Sequence, residues 1–342
     1  MKNYRHSNFI RSLIVFTFIL GVSITILTKE INAREDHCDV ITDSEETGKW
    51  GFIDHTGTFA IKPQFKWVSD FSEGLAVVAG EKGEGYIDKT GKVVIPPRFF
   101  EAGPFSGGIA LVRVDDRCGY INKIGEYIIN PHYIEAGNFS EGLAPVRIGE
   151  KWGFIDANEN VVIKPQFDSA KSFSGGLAQI ERDGKYGYID KTGRLVIDYK
   201  FDIAGDFREG LACVLVQRGK GKFMYINQTG TKTIEREFDS AAGFSDGLAN
   251  VSKIRLLLVI LLTMDDDHFY NELGYIDKTG KLVLKKPVGS GSADFSEGLT
   301  WRALKESQKW AFIDKTGQKK FEIEAYSVKN FSDGLARVRF LN

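Results

Sequence analysis

Apolar and polar positions along this chain alternate in short bursts with period two, and the bursts recur. In Trp50-Gly51-Phe52-Ile53-Asp54 the side chains of Trp50, Phe52 and Asp54 would face one side of an extended strand and Gly51 and Ile53 the other. Two large aromatics then share a face, and the glycine leaves room for a close neighbour. The polar stretch Asp54-His55-Thr56-Gly57 puts Asp first and Gly last, as a type I turn closed by a left-handed glycine prefers. It returns at Asp88 to Gly91, Asp190 to Gly193, Asp277 to Gly280 and Asp314 to Gly317, so a hairpin is predicted at each. A β-branched run follows, as in Val161 to Phe167; Pro165 cannot donate to a ladder, so the strand is expected to stop there or to lie at an edge. Phe-Ser-Glu-Gly-Leu-Ala then turns through its glycine into another strand, such as Leu143 to Ile148. The predicted unit is a three-stranded meander, with a fourth short strand around Phe167 to Phe173.

The units are repeats. Aligned on the glycine of Trp-Gly, they fall at Gly51, Gly85, Gly119, Gly153 and Gly187 at intervals of 34, then at Met224, Gly274 and Ala311 at intervals of 37, 50 and 37. The phenylalanine of the Phe-Ser-Glu-Gly motif always follows 20 or 21 residues later, so extra residues enter at one joint only, between Gly-Leu-Ala and Trp-Gly. A surface loop between two fixed strands varies in this way. A unit of this size buries little by itself, and stacked neighbours would bury the aromatic face in one continuous core. The expected fold is therefore all-β, a tandem array of eight β-meander units of 34 residues, as a propeller-like toroid or an open β-superhelix. The chain starts its first unit on Trp50 and ends on Leu335 to Phe340, two halves that complete one unit and favour closure. Cys38 to Ile41 could instead supply a first strand and leave the superhelix open.

Trp/Tyr-Gly-Phe/Tyr-Ile-Asp, Lys-Thr-Gly, Ile-x-Pro-x-Phe and Phe-Ser-Glu-Gly-Leu-Ala, co-spaced from Lys49 to Phe340, closely resemble the bacterial WG-repeat (KWG-repeat) family. The resemblance implies an all-β repeat protein of envelope or secreted contexts, with no assigned catalytic residues, and it names no ligand. The chain departs from the pattern at Glu84, Cys118 and Leu273, which replace the aromatic, at Met224 and Ala311, which replace the glycine, and at the displaced Pro287. Those units are expected to pack less well.

The N-terminus is a separate object. Lys2, Arg5 and Arg11 precede a mostly apolar run from Ser12 to Thr28, and Ala33 offers a small residue before Arg34, the pattern of a signal peptide over 1–33. An uncleaved anchor through 12–28 is the competing reading, since a span needs about 20 apolar residues. A linker over 34–48 and a repeat domain over 49–342 follow. Cleavage would remove Lys2, Arg5, Arg11, Lys29 and the acid Glu30, taking the formal charge from −1 to −4. Clustered cations for nucleic acid are missing, and that partner is excluded. Three dispersed cysteines, Cys38, Cys118 and Cys213, make no disulfide framework; the latter two occupy positions held by hydrophobic residues in sister repeats.

Candidate chemistry weakens under the same symmetry. Asp54, Asp88, Asp156, Asp190, Asp277 and Asp314, with Asn122 and Asn227, hold one equivalent position, so turn formation explains them better than a two-carboxylate glycosidase. His37, His55, His132 and His268 lack metal-ligand spacing, and Asp265 to His268 lacks the alternation of a calcium loop. Glycine-rich Gly80 to Gly85 and Arg218 to Lys222 fall at hairpin joints, where a phosphate loop does not belong. No cofactor, metal or catalytic residue is expected. Trp67 and Trp301 lie outside the repeated Trp-Gly position and are candidate contacts for a sugar or partner, against a plainer role in local packing. One segment is irregular: at 254–269 an insertion carries the apolar run Leu256, Leu257, Leu258, Val259, Ile260, Leu261 and Leu262, either an extended hairpin or a sticky segment for a partner, and too short to span a membrane. The expected protein is an exported, non-enzymatic β-repeat module that binds or scaffolds at the cell envelope, secreted or periplasmic. Its partner would be a protein or envelope polysaccharide, and it would touch membrane only through an uncleaved N-terminus. A hydrolase or lectin-like protein acting on envelope polysaccharide is the alternative.

Overall fold

A computed structural model describes residues 48–217, 219, 221–254, 270–285, 293–304 and 309–341. These belong to the unit Thr47–Asn342. The expected signal peptide or anchor, most of the linker with Cys38 to Ile41, and Leu256 to Leu262 lie outside the described residues.

Among the described residues eight antiparallel sheets, here blades I to VIII, follow one another along the chain. Blade V shows the full plan: a short first strand Ser169–Ala170, then Leu177–Arg182, Lys185–Asp190 and Leu195–Phe201, each hydrogen-bonded to the next. The aromatic strand is third, and both its faces are buried: Trp50, Phe52 and Ile53 are all core residues. The turn behind it forms as the Asp-x-x-Gly spacing predicts. In Asp190 to Gly193 the Asp190 carboxylate accepts from Thr192 N–H at 3.0 Å, the Thr192 hydroxyl at 2.6 Å and Arg194 N–H at 3.1 Å. Gly193 closes the turn at φ 82°, where a side chain would be strained.

At Pro165 the edge alternative holds. Val161–Phe167 is the edge strand of its sheet, so it runs through the proline, and the residues around Pro165 bulge out of the ladder. Trp152 pairs with Phe167 but Phe154 with Ile163, so the edge strand carries the extra residues. That bulge explains the repeated glycine: a Cβ on Gly153 would lie 2.5 Å from the Ile163 carbonyl oxygen and 2.8 Å from Pro165 N. Blade VIII supplies the control. Trp310 pairs with Ile323 and Phe312 with Phe321 in unbroken register, no proline is present, and Ala311 is accommodated with no exposed surface. Cys118, in the aromatic position of its unit, is also fully packed at 1% exposure.

The chain closes on itself. Blade I is built from both halves of the sequence, in the order Ser327–Ser332, Leu335–Phe340, Lys49–Ile53, Phe59–Phe65. Lys49 pairs with Phe340 and the register holds through Ile53 and Ala336. Between blades, a serine hydroxyl donates to the phenylalanine carbonyl of the next repeat: Ser72 to Phe105, Ser174 to Phe207, Ser245 to Phe295 and Ser296 to Phe331. Ser332 to Phe71, at 2.6 Å, carries that series across the joint between the two chain halves. The outcome is the closed alternative, and the open superhelix is set aside. The core lies between blades, where Phe52 packs on Phe71, Tyr86 on Phe105 and Phe154 on Phe173 at ring separations of 4.7 to 5.0 Å. Each buried aromatic contributes roughly 1.5–3 kcal/mol. The buried tyrosines donate to a carbonyl, as Tyr86 to Gly103 and Tyr120 to Gly137 at 2.8 Å, and burial pushes both hydroxyls well above their ordinary pKa.

Candidate functional site

A ring of repeats has two ends, and a functional site should break their symmetry. One end carries the Asp-x-x-Gly turns, the other the hairpins between the second and third strands.

At the turn end the loops of Phe-Ser-Glu-Gly hold Glu73, Glu141, Glu209, Asp246, Glu297 and Asp333 at φ 52° to 55°. Each carboxylate accepts the glycine N–H of the following blade's loop: Glu73 from Gly107 at 2.6 Å, Glu141 from Gly176 and Glu209 from Gly247 at 3.0 Å, Asp246 from Gly298 at 2.5 Å, Glu297 from Gly334 at 3.0 Å and Asp333 from Gly74 at 2.6 Å. Cations from the turns complete the clasp, Lys123 on Glu73 at 3.1 Å, Lys191 on Glu141 at 3.0 Å and Lys278 on Glu209 at 3.0 Å. Burial pushes the carboxyls of Glu73, Glu141 and Glu209 up, but the lysine and amide hydrogen bonds outweigh it and hold all three below the ordinary glutamate range. Where the acid is missing, at Gly107 and Gly175, the cation is missing too, since Ala157 and Gln228 stand in its place. This coupling marks a structural lock.

The joint between blades VIII and I holds an open groove of about 670 Å³ lined by His55, Glu297, Leu299, Asp314, Lys320 and Phe321. His55 replaces the usual lysine. Its ring stacks on Phe331 at 4.1 Å and its Nε2 lies 3.1 Å from Glu297. Asp314 accepts from Lys320 at 2.8 Å and from its own turn, and these bonds hold its carboxyl far below the ordinary range. A glycosidase pair needs one carboxyl able to stay protonated. Asp314 is held in the opposite sense.

The hairpin end is less uniform. In the loop leaving the fourth strand, Asp168 accepts from Lys151 and from Asp183 N–H, Asp202 from Lys185 and Gln217 N–H, and Asp239 from Lys222, so the acid seals the joint to a hairpin. At the same position blades II and III end in Phe100 and Ile134, which are 73% and 57% exposed. Gly83 and Arg117 replace the lysine there. At two adjacent blades an exposed apolar side chain thus stands where the sealing acid does elsewhere, and the joint between blades II and III is held instead by Glu84, which accepts from Ala102 N–H at 2.6 Å.

The residues singled out from sequence do not converge. Trp67 is half-buried against the cluster of Val77, Tyr86, Phe99 and Phe105. Trp301 is half-buried edge-on to Trp310 at 5.1 Å, with its indole N–H buried and unpaired. Leu256 to Leu262 lie outside the described residues, as do Asp265 to His268. His132 faces Glu159 at 2.8 Å. Among the described residues no three His, Cys, Asp or Glu side chains converge as metal ligands. Cys118 and Cys213 are buried free thiols, and burial pushes the Cys118 thiol up. Phe100 and Ile134 drew no attention in the sequence because each is an ordinary apolar residue at a strand end. Aligning them with Asp168, Asp202 and Asp239 is the signal that finds them.

A profile of the family described as "WG containing repeat" matches residues 50–79, 85–118, 119–152, 152–186, 186–220, 223–253 and 310–342. The seventh unit, with its inserted segment and displaced proline, is the one passed over. No curated protein matches the sequence. Among solved structures, a eukaryotic initiation factor aligns at 11% identity over 87% of this chain and 100% of that chain, TM-score 0.48. The dihydro-heme d1 dehydrogenase NirN aligns at 12% identity over 83% and 72%, TM-score 0.49. Kluyveromyces lactis Hsv2p aligns at 11% identity over 75% and 98%, TM-score 0.45.

Proposed function

This chain belongs to the WG-repeat family, and from that premise we propose that it is a non-catalytic binding or scaffolding module of the cell envelope, exported through 1–33 and engaging its partner at the hairpin end of the ring. The observation that carries the reading is the difference between the ends. The turn end spends its carboxylates and lysines on clasping neighbouring blades. The hairpin end collects all variation in loop length together with exposed Phe100 and Ile134. Loops on a rigid scaffold are where recognition is usually placed. Export is supported by the basic residues and apolar run before Ala33.

Retention of the full chain on an isolated envelope fraction tests this. With Cys38 changed to serine, a single exposed cysteine would be placed in blade IV at the hairpin (Glu150→Cys) or at the turn (Asn158→Cys) and capped with a polyethylene-glycol maleimide. The cap at 150 should abolish retention, and the cap at 158 should leave it. Equal effects, or turnover of envelope polysaccharide without retention, would sink the reading in favour of a hydrolase.

A further inference from the structure

We propose that Phe100, Ile134 and Ile148 form a docking arc for a basic, apolar segment of a partner protein; this rests on the hairpin-end reading above and narrows it to blades II to IV. Phe100 and Ile134 take equivalent positions in consecutive blades, and Ile148, 40% exposed, ends the strand whose hairpin adjoins the second of them. Three sister positions hold an aspartate that caps the neighbouring hairpin, as Asp168 accepts from Asp183 N–H at 2.8 Å, while Lys66 and Tyr326 stand at two others. Replacing a capping acid by an exposed aromatic gives the ring nothing. Exposed aromatics do contribute to interfaces, where a few well-placed ones carry most of the binding energy.

Charge selects the occupant. The cations beside the arc are already used: Arg113 pairs with Glu101 at 3.1 Å, Arg147 with Glu135 at 3.0 Å, and Lys151 with Asp168. The hairpin tips of the same three blades carry Glu81, Asp115, Asp116 and Glu150, all exposed and none in an ion pair, against Lys82 and Arg117. Net negative charge around an apolar centre repels nucleic acid and anionic lipid. It also opposes a second copy of this chain, which would bring the same acids face to face across a two-fold axis. A segment of lysine or arginine interleaved with leucine or phenylalanine satisfies both features.

The probe is a labelled ten-residue peptide alternating Lys with Leu and Phe, measured by fluorescence anisotropy against the full chain, with a matched peptide carrying Glu for Lys. The variant Phe100→Asp/Ile134→Asp installs the residue that sister blades tolerate, and thermal unfolding verifies its fold; Phe100→Ser/Ile134→Ser is the second variant. Ile124→Thr, which removes an equally exposed apolar side chain at the turn end, is the control. Binding of the basic peptide should fall at least ten-fold in both arc variants, stay unchanged in Ile124→Thr, and exceed that of the acidic peptide by at least ten-fold. Equal binding by the arc variants, preference for the acidic peptide, or a dimer in sedimentation that the arc variants dissolve would overturn the proposal. Envelope retention that the cap at 150 blocks but the arc variants leave intact would sink this inference alone. Retention that neither alters would sink the broader reading as well.

Discussion

The turn end and the hairpin end of the ring are built from the same repeats and obey different rules. At the turn end, acid and cation are kept or lost together: Glu73 with Lys123 and Glu141 with Lys191 are present as pairs, and Gly107 with Ala157 and Gly175 with Gln228 lack both. At the hairpin end Asp168, Asp202 and Asp239 seal three consecutive joints, whereas Phe100 and Ile134 stand exposed in the acid's place at two others. Coupled loss is the mark of a lock that works only as a pair. At the hairpin end the sealing lysine is gone with the acid, as Gly83 and Arg117 show, but exposed apolar side chains take the acid's place, and their requirement lies outside the ring.

The largest effect expected is on the ring as a whole. Removing Asp333 to Asn342 takes away the second strand of blade I, with its buried Leu335, Ala336 and Val338, and strips Lys49–Ile53 of a partner. At roughly 1.5–3 kcal/mol for each of Leu335 and Val338, and with the ladder to Lys49–Ile53 lost as well, that is a large share of an ordinary stability of about 5–15 kcal/mol. Circular dichroism should show no cooperative transition above room temperature.

Next, four glycine-serine residues inserted in blade V between Lys191 and Thr192 should destabilise by about 2–4 kcal/mol, because the turn's backbone bonds and the lysine clasp are lost together. The same insertion between Gly149 and Glu150 should cost less than about 1 kcal/mol, since lengthening a surface loop is inexpensive. Denaturant midpoints compare the two. Similar costs would erase the distinction between the ends.

A smaller effect is set by pH. Hydrogen bonds from Thr56, Thr90, Thr192 and Thr279 hold Asp54, Asp88, Asp190 and Asp277 below the ordinary aspartate pKa, as Asn160 does for Asp156 and Lys320 for Asp314. A carboxyl with a lower pKa folded than unfolded adds stability that is present above the unfolded value and lost as pH falls through the folded one. Tm should therefore hold to about pH 4 and decline below it. Asp190→Ala should lower Tm by about 2–4 °C at pH 7 and flatten the acid decline.

The smallest effect belongs to the hairpin end. Phe100→Asp/Ile134→Asp should shift stability by less than about 0.5 kcal/mol, as surface changes do, while abolishing most binding.

Much of this was legible in the chain. Period two gave the strands, and Asp-x-x-Gly gave turns whose glycines do sit at φ near 80°. At Pro165 the sequence left a strand end or an edge open, and the edge is found, because a proline stops a ladder only where its N–H would be needed and a bulged edge strand does not need it. The same bulge is why Trp-Gly keeps its glycine, and the sequence does not show it, since Gly187 faces a fourth strand that lacks proline and bulges all the same. Closure was half legible: the first unit starts on Trp50 and the chain ends on Leu335 to Phe340, two halves of one unit, whereas the contacts of His55 with Glu297 and of Lys89 with the Asp333 carbonyl emerge only in the fold. Exposure of Phe100 was not, because apolar content does not distinguish a strand end that faces a neighbour from one that faces water.

Both ends exist only if the ring is closed, so the pairing of Lys49 with Phe340 is the claim to test. In a Cys38→Ser background, Lys49→Cys with Phe340→Cys would be oxidised and examined by mass spectrometry and non-reducing electrophoresis. The account predicts an intramolecular disulfide formed in near-quantitative yield in the folded monomer, with a raised Tm that reduction reverses. Two free thiols, or cross-links only between separate chains, would contradict it.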